Sequence, residues 1–195
     1  GGQASKATFR SATAKFAAAG KTIPKKDLGQ IAMAYGNVYV AQIALGAKPK
    51  QTIEAFLEAE RHDGPSLIIA YSPCIAHGYD LSHNADQQKK AVETGVWPLY
   101  RFDPQRGAAG DPPLKLDSAP PKGRVADYMA AETRFRMVEK IDPERYRRFL
   151  RQAQEQAEQR YSVYRQLAGI TLPHGDGAAA AKTAETTETT APTAS

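Results

Sequence analysis

Val38-Tyr39-Val40-Ala41-Gln42-Ile43-Ala44-Leu45 and, further on, Ser66-Leu67-Ile68-Ile69-Ala70-Tyr71 are the two runs that decide the fold. The first opens with β-branched and aromatic residues, which favours a buried strand. Its alanine-rich end leaves a helix open, since short apolar runs fit both. The second is short and continuously apolar, the pattern of a strand covered on both faces. Between them, residues 49–62 read as a helix. Ile53, Phe56, Leu57 and Glu60 lie three or four apart and set an apolar stripe beside charged positions. Pro49 suits the helix start and Gly64-Pro65 ends it. Strand, helix and strand of these lengths form a βαβ unit, with parallel strands and a right-handed crossover. The chain is therefore expected to be α/β, with a mostly parallel sheet flanked by helices. Ligands in such sheets gather beyond the carboxyl ends of the strands. Here that place is Ser72-Pro73-Cys74-Ile75-Ala76-His77-Gly78.

Upstream, Asp27 is an N-cap for a helix over 28–35, with Gly36 ending it. Residues 1–26 are rich in Ala, Ser, Thr and Gly, and 12–19 are expected to form a short helix closed by Gly20. Gly1-Gly2 suits a tight turn, a close backbone approach to a ligand, or a plain loop. Downstream, 84–94 reads as a polar helix ending at Gly95, and 96–102 as a strand that Pro98 makes an edge or irregular one. Residues 103–123 are Pro/Gly-rich and irregular, and contain Leu114-Lys115-Leu116-Asp117-Ser118. A helix follows over 125–139. Asp142-Pro143 starts another, which runs to about residue 168. Its stripe of Tyr146, Phe149, Leu150, Ala153, Ala157, Tyr161, Tyr164 and Leu167 keeps steps of three and four, so one face must pack on something. From His174 the composition turns to Ala, Thr, Glu and Pro, which cannot bury enough apolar surface to offset ordering entropy. Residues 173–195 are thus expected to be a disordered tail.

The composition, 42% hydrophobic and 24% charged over 195 residues, excludes a wholly disordered chain, a collagen-like repeat and a coiled coil. No stretch approaches the roughly 20 consecutive apolar residues of a membrane span. Net charge is +5, from 26 basic and 21 acidic residues. The basic pairs Lys25-Lys26, Lys89-Lys90 and Arg147-Arg148 are scattered, which reads as solvated surface and not as a nucleic-acid stripe. A single cysteine, Cys74, excludes a disulfide framework within the chain and favours a reducing compartment, the cytoplasm. The opening Gly1-Gly2-Gln3, without Met, charged n-region or apolar h-region, reads as a piece cut from a longer protein.

Cys74 could be an iron–sulfur or other metal ligand, a nucleophile, a redox sensor, or simply a small buried hydrophobe. A nucleophile needs a base, and His77 is three residues on. His62, His83 and His174 show no metal spacing with it. Cys74-x-x-His77 alone is not a zinc site, since zinc needs about four ligands and the chain has no second Cys-x-x-Cys; an iron–sulfur cluster would need three further thiolates, which this sequence does not contain. No Gly-x-Ser-x-Gly, Walker loop, His-Glu-x-x-His or Gly-x-Gly-x-x-Gly is present.

Taken together, Gly1-Gly2-Gln3-Ala4-Ser5-Lys6-Ala7-Thr8, Lys25-Lys26-Asp27-Leu28-Gly29, Val38-Tyr39-Val40-Ala41 and the long run from Gly64 to Gly78 resemble pyruvate:ferredoxin (flavodoxin) oxidoreductase. The similarity is to its C-terminal thiamine-diphosphate-binding region. Trp97-Pro98-Leu99-Tyr100-Arg101, Leu116-Asp117-Ser118 and the closing stretch 160–168 continue it in order; Phe9-Arg10 depart from it. The resemblance implies residues 1–123 as part of the thiamine-diphosphate domain and 124–172 as its helical extension. It implies an enzyme that oxidatively decarboxylates pyruvate to acetyl-CoA. Electrons would pass through [4Fe–4S] clusters to ferredoxin or flavodoxin. The implied cofactors are thiamine diphosphate, Mg²⁺ and those clusters. Gly1, Gly2 and Gln3 match the end of the cofactor motif, while the Mg²⁺ ligands lie upstream. Cys74 matches one ligand of the cluster nearest the thiamine, and His77 would either tune that cluster or cap its loop. The implied assembly is a homo-oligomer that works without nucleic acid or membrane, and the isolated piece would be inactive. A related 2-oxoacid oxidoreductase and a non-catalytic interaction module are the alternatives.

Overall fold

The computed structural model describes residues 2–172; Gly1 and the expected tail over 173–195 lie outside them. Strand β1 (Tyr39–Ile43) is buried along its whole length, as its β-branched and aromatic opening predicts. Helix α2 (Pro49–Arg61) leads from it to β2 (Ser66–Ala70), which pairs with β1 in parallel, Tyr39 opposite Ser66 and Ile43 opposite Ala70. Two short strands complete the sheet on the other side. β3 (Tyr100–Phe102) runs antiparallel to β1, and β4 (Leu114–Leu116) antiparallel to β3, giving the order β2-β1-β3-β4. The α/β class holds, and the sheet is mixed: one of its three pairings is parallel.

β2 is an edge strand among the described residues; its three central side chains are half-buried, Leu67 and Ile69 packing on one face and Ile68 on the other, so both faces are covered only in part and the strand's ends are exposed. β3 is interior, not at an edge. It begins after Pro98, so the missing proline N–H falls outside the ladder. The Pro98 carbonyl accepts from Gln42 Nε2 at 2.7 Å, and the Trp97 indole N–H donates to the Ile43 carbonyl at 3.0 Å. The 103–123 stretch is more ordered than its composition suggests, holding helix α4 (Pro104–Ala108) and β4.

Helix α1 (Leu28–Met33) begins as read: the Asp27 carboxylate accepts from the Gln30 N–H at 3.2 Å, and from the Tyr164 hydroxyl at 2.8 Å. Gly29 lies against Tyr100, whose buried ring stacks on Tyr164 with centroids 4.4 Å apart. A methyl at residue 29 would overlap the Tyr100 hydroxyl. Gly29→Ala is therefore expected to lower stability by about 1–3 kcal/mol through overpacking, read as a drop in the thermal unfolding midpoint.

The apolar stripe of α2 faces outward. Ile53, Phe56 and Leu57 are each at least 51% exposed, while Gln51, Thr52 and Ala55 are buried. The reason is Arg101 of β3, only 4% exposed and aimed at this helix. Its guanidinium meets Glu58 at 2.6 Å, Glu54 at 3.0 Å and Asp117 at 2.9 Å. A buried guanidinium without carboxylates would cost several kcal/mol, so the helix turns its acidic face inward. Ala55 then fits against Tyr39, Ala41 and Ile43.

Residues 12–19 are not helical. Ser11 and Phe16 have φ of +74° and +70°, and the backbone instead pairs Gln3 with Lys15 and Ala14 with Ala17. Alanine's helix propensity yields to tertiary contacts here: Ala12 is fully buried in the main core, and the Thr13 N–H donates to the Arg134 carbonyl at 2.8 Å. The predicted 125–139 helix breaks into α5 (Val125–Ala130) and α6 (Thr133–Ile141). The long helix α7 (Pro143–Leu167) starts at its Asp142 cap and buries Tyr146, Phe149, Ala157 and Tyr164 from the predicted stripe. Helix α3 (Asn84–Glu93) stands between the site loop and β3.

Candidate functional site

Beyond β2 the chain leaves the sheet through Tyr71, whose hydroxyl lies 3.1 Å from that of Tyr128 and donates to Glu132 at 3.4 Å. Tyr71 also meets the Trp97 ring edge-on, with centroids 5.5 Å apart. Cys74 then sits in extended conformation as the cap of a tight turn over Ile75–His77, which Gly78 closes with φ +73°. The His77 N–H donates to the Cys74 carbonyl at 2.9 Å. The turn is tied down from α6: the Thr133 N–H and hydroxyl both donate to the Gly78 carbonyl, at 3.0 and 2.7 Å.

The thiol of Cys74 is half-buried, so it is not a sealed core hydrophobe. The Ala76 backbone N–H holds its pKa below the ordinary thiol range. His77 is buried, and that burial, reinforced by the Arg134 cation, pushes it down to about 4. Its imidazole is therefore neutral near pH 7.

Of the cofactor residues suggested by the sequence, Gly1 lies outside the described residues. Gly2 and Gln3 are exposed: a methyl built on Gly2 would lie 3.8 Å from the Ala76 methyl of the Cys74 turn, and Gln3 lines one cavity with His77 of that turn. The Gly2 backbone is exposed. It is held there by the Lys15 N–H, which donates to the Gly2 carbonyl at 3.0 Å, and by the Ala4 N–H donating to the Lys15 carbonyl at 2.8 Å. Among the described residues no three His, Cys, Asp or Glu side chains gather as a metal site. His62 and His83 bind elsewhere, to the Asn37 carbonyl and beside Asp80.

Three residues of this region were not legible as site residues. Lys25, in the Lys25-Lys26 pair, is half-buried and not part of a solvated face; burial and the Arg160 charge pull its ammonium down to about 8. Arg134 and Glu132 form a buried pair 2.5 Å apart, with Gln87 donating to Glu132 at 2.9 Å. Lys25, Arg134, Gln3, Ser72 and His77 line one cavity of about 240 Å³ next to Trp97.

No family model matches the chain. Known proteins do. It is 56% identical over 182 residues to the pyruvate-flavodoxin oxidoreductase of Rhodospirillum rubrum, a match that covers 93% of this chain and 15% of that protein. It is 47% identical over 168 residues to the pyruvate:ferredoxin oxidoreductase of Moorella thermoacetica, covering 86% of this chain and 14% of that protein. It is 41% identical over 169 residues to the mitochondrial pyruvate dehydrogenase [NADP(+)] of Euglena gracilis, covering 86% of this chain and 9% of that protein. The chain thus spans about one-seventh, or less, of the length of these relatives.

Proposed function

We propose, from the premise that this chain is homologous to a segment of the pyruvate-flavodoxin oxidoreductases, that it belongs to an enzyme that oxidatively decarboxylates pyruvate to acetyl-CoA and passes the electrons through iron–sulfur clusters to flavodoxin or ferredoxin. The names of the relatives reported above share pyruvate and differ in the electron acceptor. The observation that carries the reading is the approach of Gly2 to Ala76 of the Cys74 turn, with Gln3 and His77 lining one cavity, at the carboxyl end of β2, where α/β sheets hold ligands.

In this reading Cys74 supplies one thiolate to a [4Fe–4S] cluster, and its half-exposed sulfur and lowered pKa fit that role. Gly1, Gly2 and Gln3 border the thiamine diphosphate, and the exposed Gly2, with no side chain of its own, leaves room for a ligand's close approach to the backbone. The remaining thiolates and the Mg²⁺ ligands come from outside this chain. When bound, thiamine diphosphate supplies an electron sink for decarboxylation and the cluster an outlet for single electrons. The chain's own part is positional. Thr133 clamps Gly78, and the Glu132–Arg134 pair anchors the helix that carries Thr133, so the cysteine turn is fixed to α6. We place residues 1–123 in the thiamine-diphosphate domain and 124–172 in its helical extension. We place the whole protein in the cytoplasm as a homo-oligomer without membrane or nucleic-acid partners; no helix of the described residues is long and apolar enough to cross a membrane.

The test is an assay of the intact protein for reduction of flavodoxin or ferredoxin. The expected result is reduction that requires both pyruvate and coenzyme A, with no turnover by the isolated chain. Reduction with a different 2-oxoacid but not with pyruvate would move the substrate assignment; no reduction with any 2-oxoacid would favour a non-catalytic module.

A further inference from the structure

The cavity under the Gln3–Thr8 turn carries an imbalance that the role of Cys74 does not explain. Lys25 and Arg134 are its charged lining residues, and no carboxylate lines it. Arg134 is balanced from behind by Glu132, and also lies over the Phe135 ring at 4.8 Å. Lys25 has no ion pair among the described residues. Its ammonium donates to the Ala7 carbonyl at 3.0 Å and lies over the rings of Phe9 and Trp97 at 5.5 and 5.8 Å. Arg160, Lys21 and Lys26 add positive charge around it, against the single carboxylate of Asp27. Lys21, 7% exposed, likewise has only a carbonyl partner, that of Thr8 at 2.7 Å. Cations withdrawn from water without a counter-charge are costly.

The rest of the lining offers donors. Ser5 and Thr8 hydroxyl oxygens accept from the N–H groups of Ala7 and Ser5, at 3.1 and 3.0 Å, which leaves each O–H free to donate. Ser72 is exposed, and its hydroxyl makes only a 3.4 Å contact to its neighbour's carbonyl. His77 Nδ1 is buried without a hydrogen-bond partner among the described residues. We propose that this cavity is an oxyanion subsite that takes a carboxylate or phosphate group between Lys25 and Arg134. The proposal deepens the functional reading and rests on it, because Ser72 and His77, on either side of Cys74, and Gln3 all line this cavity. The pyruvate carboxylate and a cofactor phosphate present the same chemistry to it.

The experiment is competitive labelling of lysines in the wild-type intact protein with acetic anhydride, read residue by residue by mass spectrometry at constant ionic strength. The exposed neighbour Lys26 is the internal control. Inorganic phosphate or pyruvate is expected to slow labelling of Lys25 and not of Lys26. Protection should reach about fivefold at four times the dissociation constant, since it follows 1 + [L]/Kd. The anion that protects at lower concentration identifies the source. With sulfate, whose charge is constant across the range, the labelling midpoint of Lys25 should rise from about 8, because a bound anion favours the ammonium form. Equal rates for Lys25 with and without every anion, and an unmoved midpoint, would overturn the subsite. That outcome leaves the Cys74 cluster to its own spectroscopic readout, so the two readings fail separately.

Discussion

Glu132→Ala is expected to destabilise the fold by about 3–5 kcal/mol, because it leaves Arg134 as an uncompensated buried charge. Glu132 is fully buried and Arg134 is 6% exposed. The same carboxylate accepts from Gln87 at 2.9 Å and from Tyr71 at 3.4 Å, so three elements lose their shared acceptor at once. Glu132 also stands at the break between α5 and α6, one residue before the Thr133 that clamps the Cys74 turn. Denaturant unfolding should show a lowered midpoint with little change in slope. Glu132→Gln keeps an acceptor and should cost less. The double change Glu132→Ala with Arg134→Met should also cost less than Glu132→Ala alone, since it removes the stranded cation. If the double variant proves as unstable as the sum of its parts, the coupling claimed for the pair is wrong.

The sequence was most readable where local signals and tertiary packing agree. Asp27 and Asp142 cap helices where their side chains predict it, and the stripe of α7 buries Tyr146, Phe149, Ala157 and Tyr164. The βαβ unit followed from two apolar runs and the helix between them. Where distant residues decide, local reading failed. The inward face of α2 is chosen by Arg101, far along the chain, and nothing within the helix announces a buried guanidinium. Residues 12–19 have helical composition, but their backbone is bonded to Gly2, Lys21 and Arg134. The run in β2 is composed for cover that the described residues provide only in part. The Cys74 turn was legible because the βαβ rule names the place. Lys25 was not, because a basic pair in sequence carries no sign that one member turns inward between Phe9 and Trp97.

The second large effect concerns the central claim, that Cys74 holds an iron–sulfur cluster. Its thiol is half-exposed at a turn, outside the hydrophobic clusters, so replacing it should change stability by less than about 1 kcal/mol. Any spectroscopic loss would then report ligation and not unfolding. The direct measurement is electron paramagnetic resonance of the reduced intact protein carrying Cys74→Ala, beside the wild type. The account predicts that one [4Fe–4S] signal disappears or converts to that of an altered cluster, while signals of any other clusters persist as internal controls. A spectrum identical to wild type would contradict it.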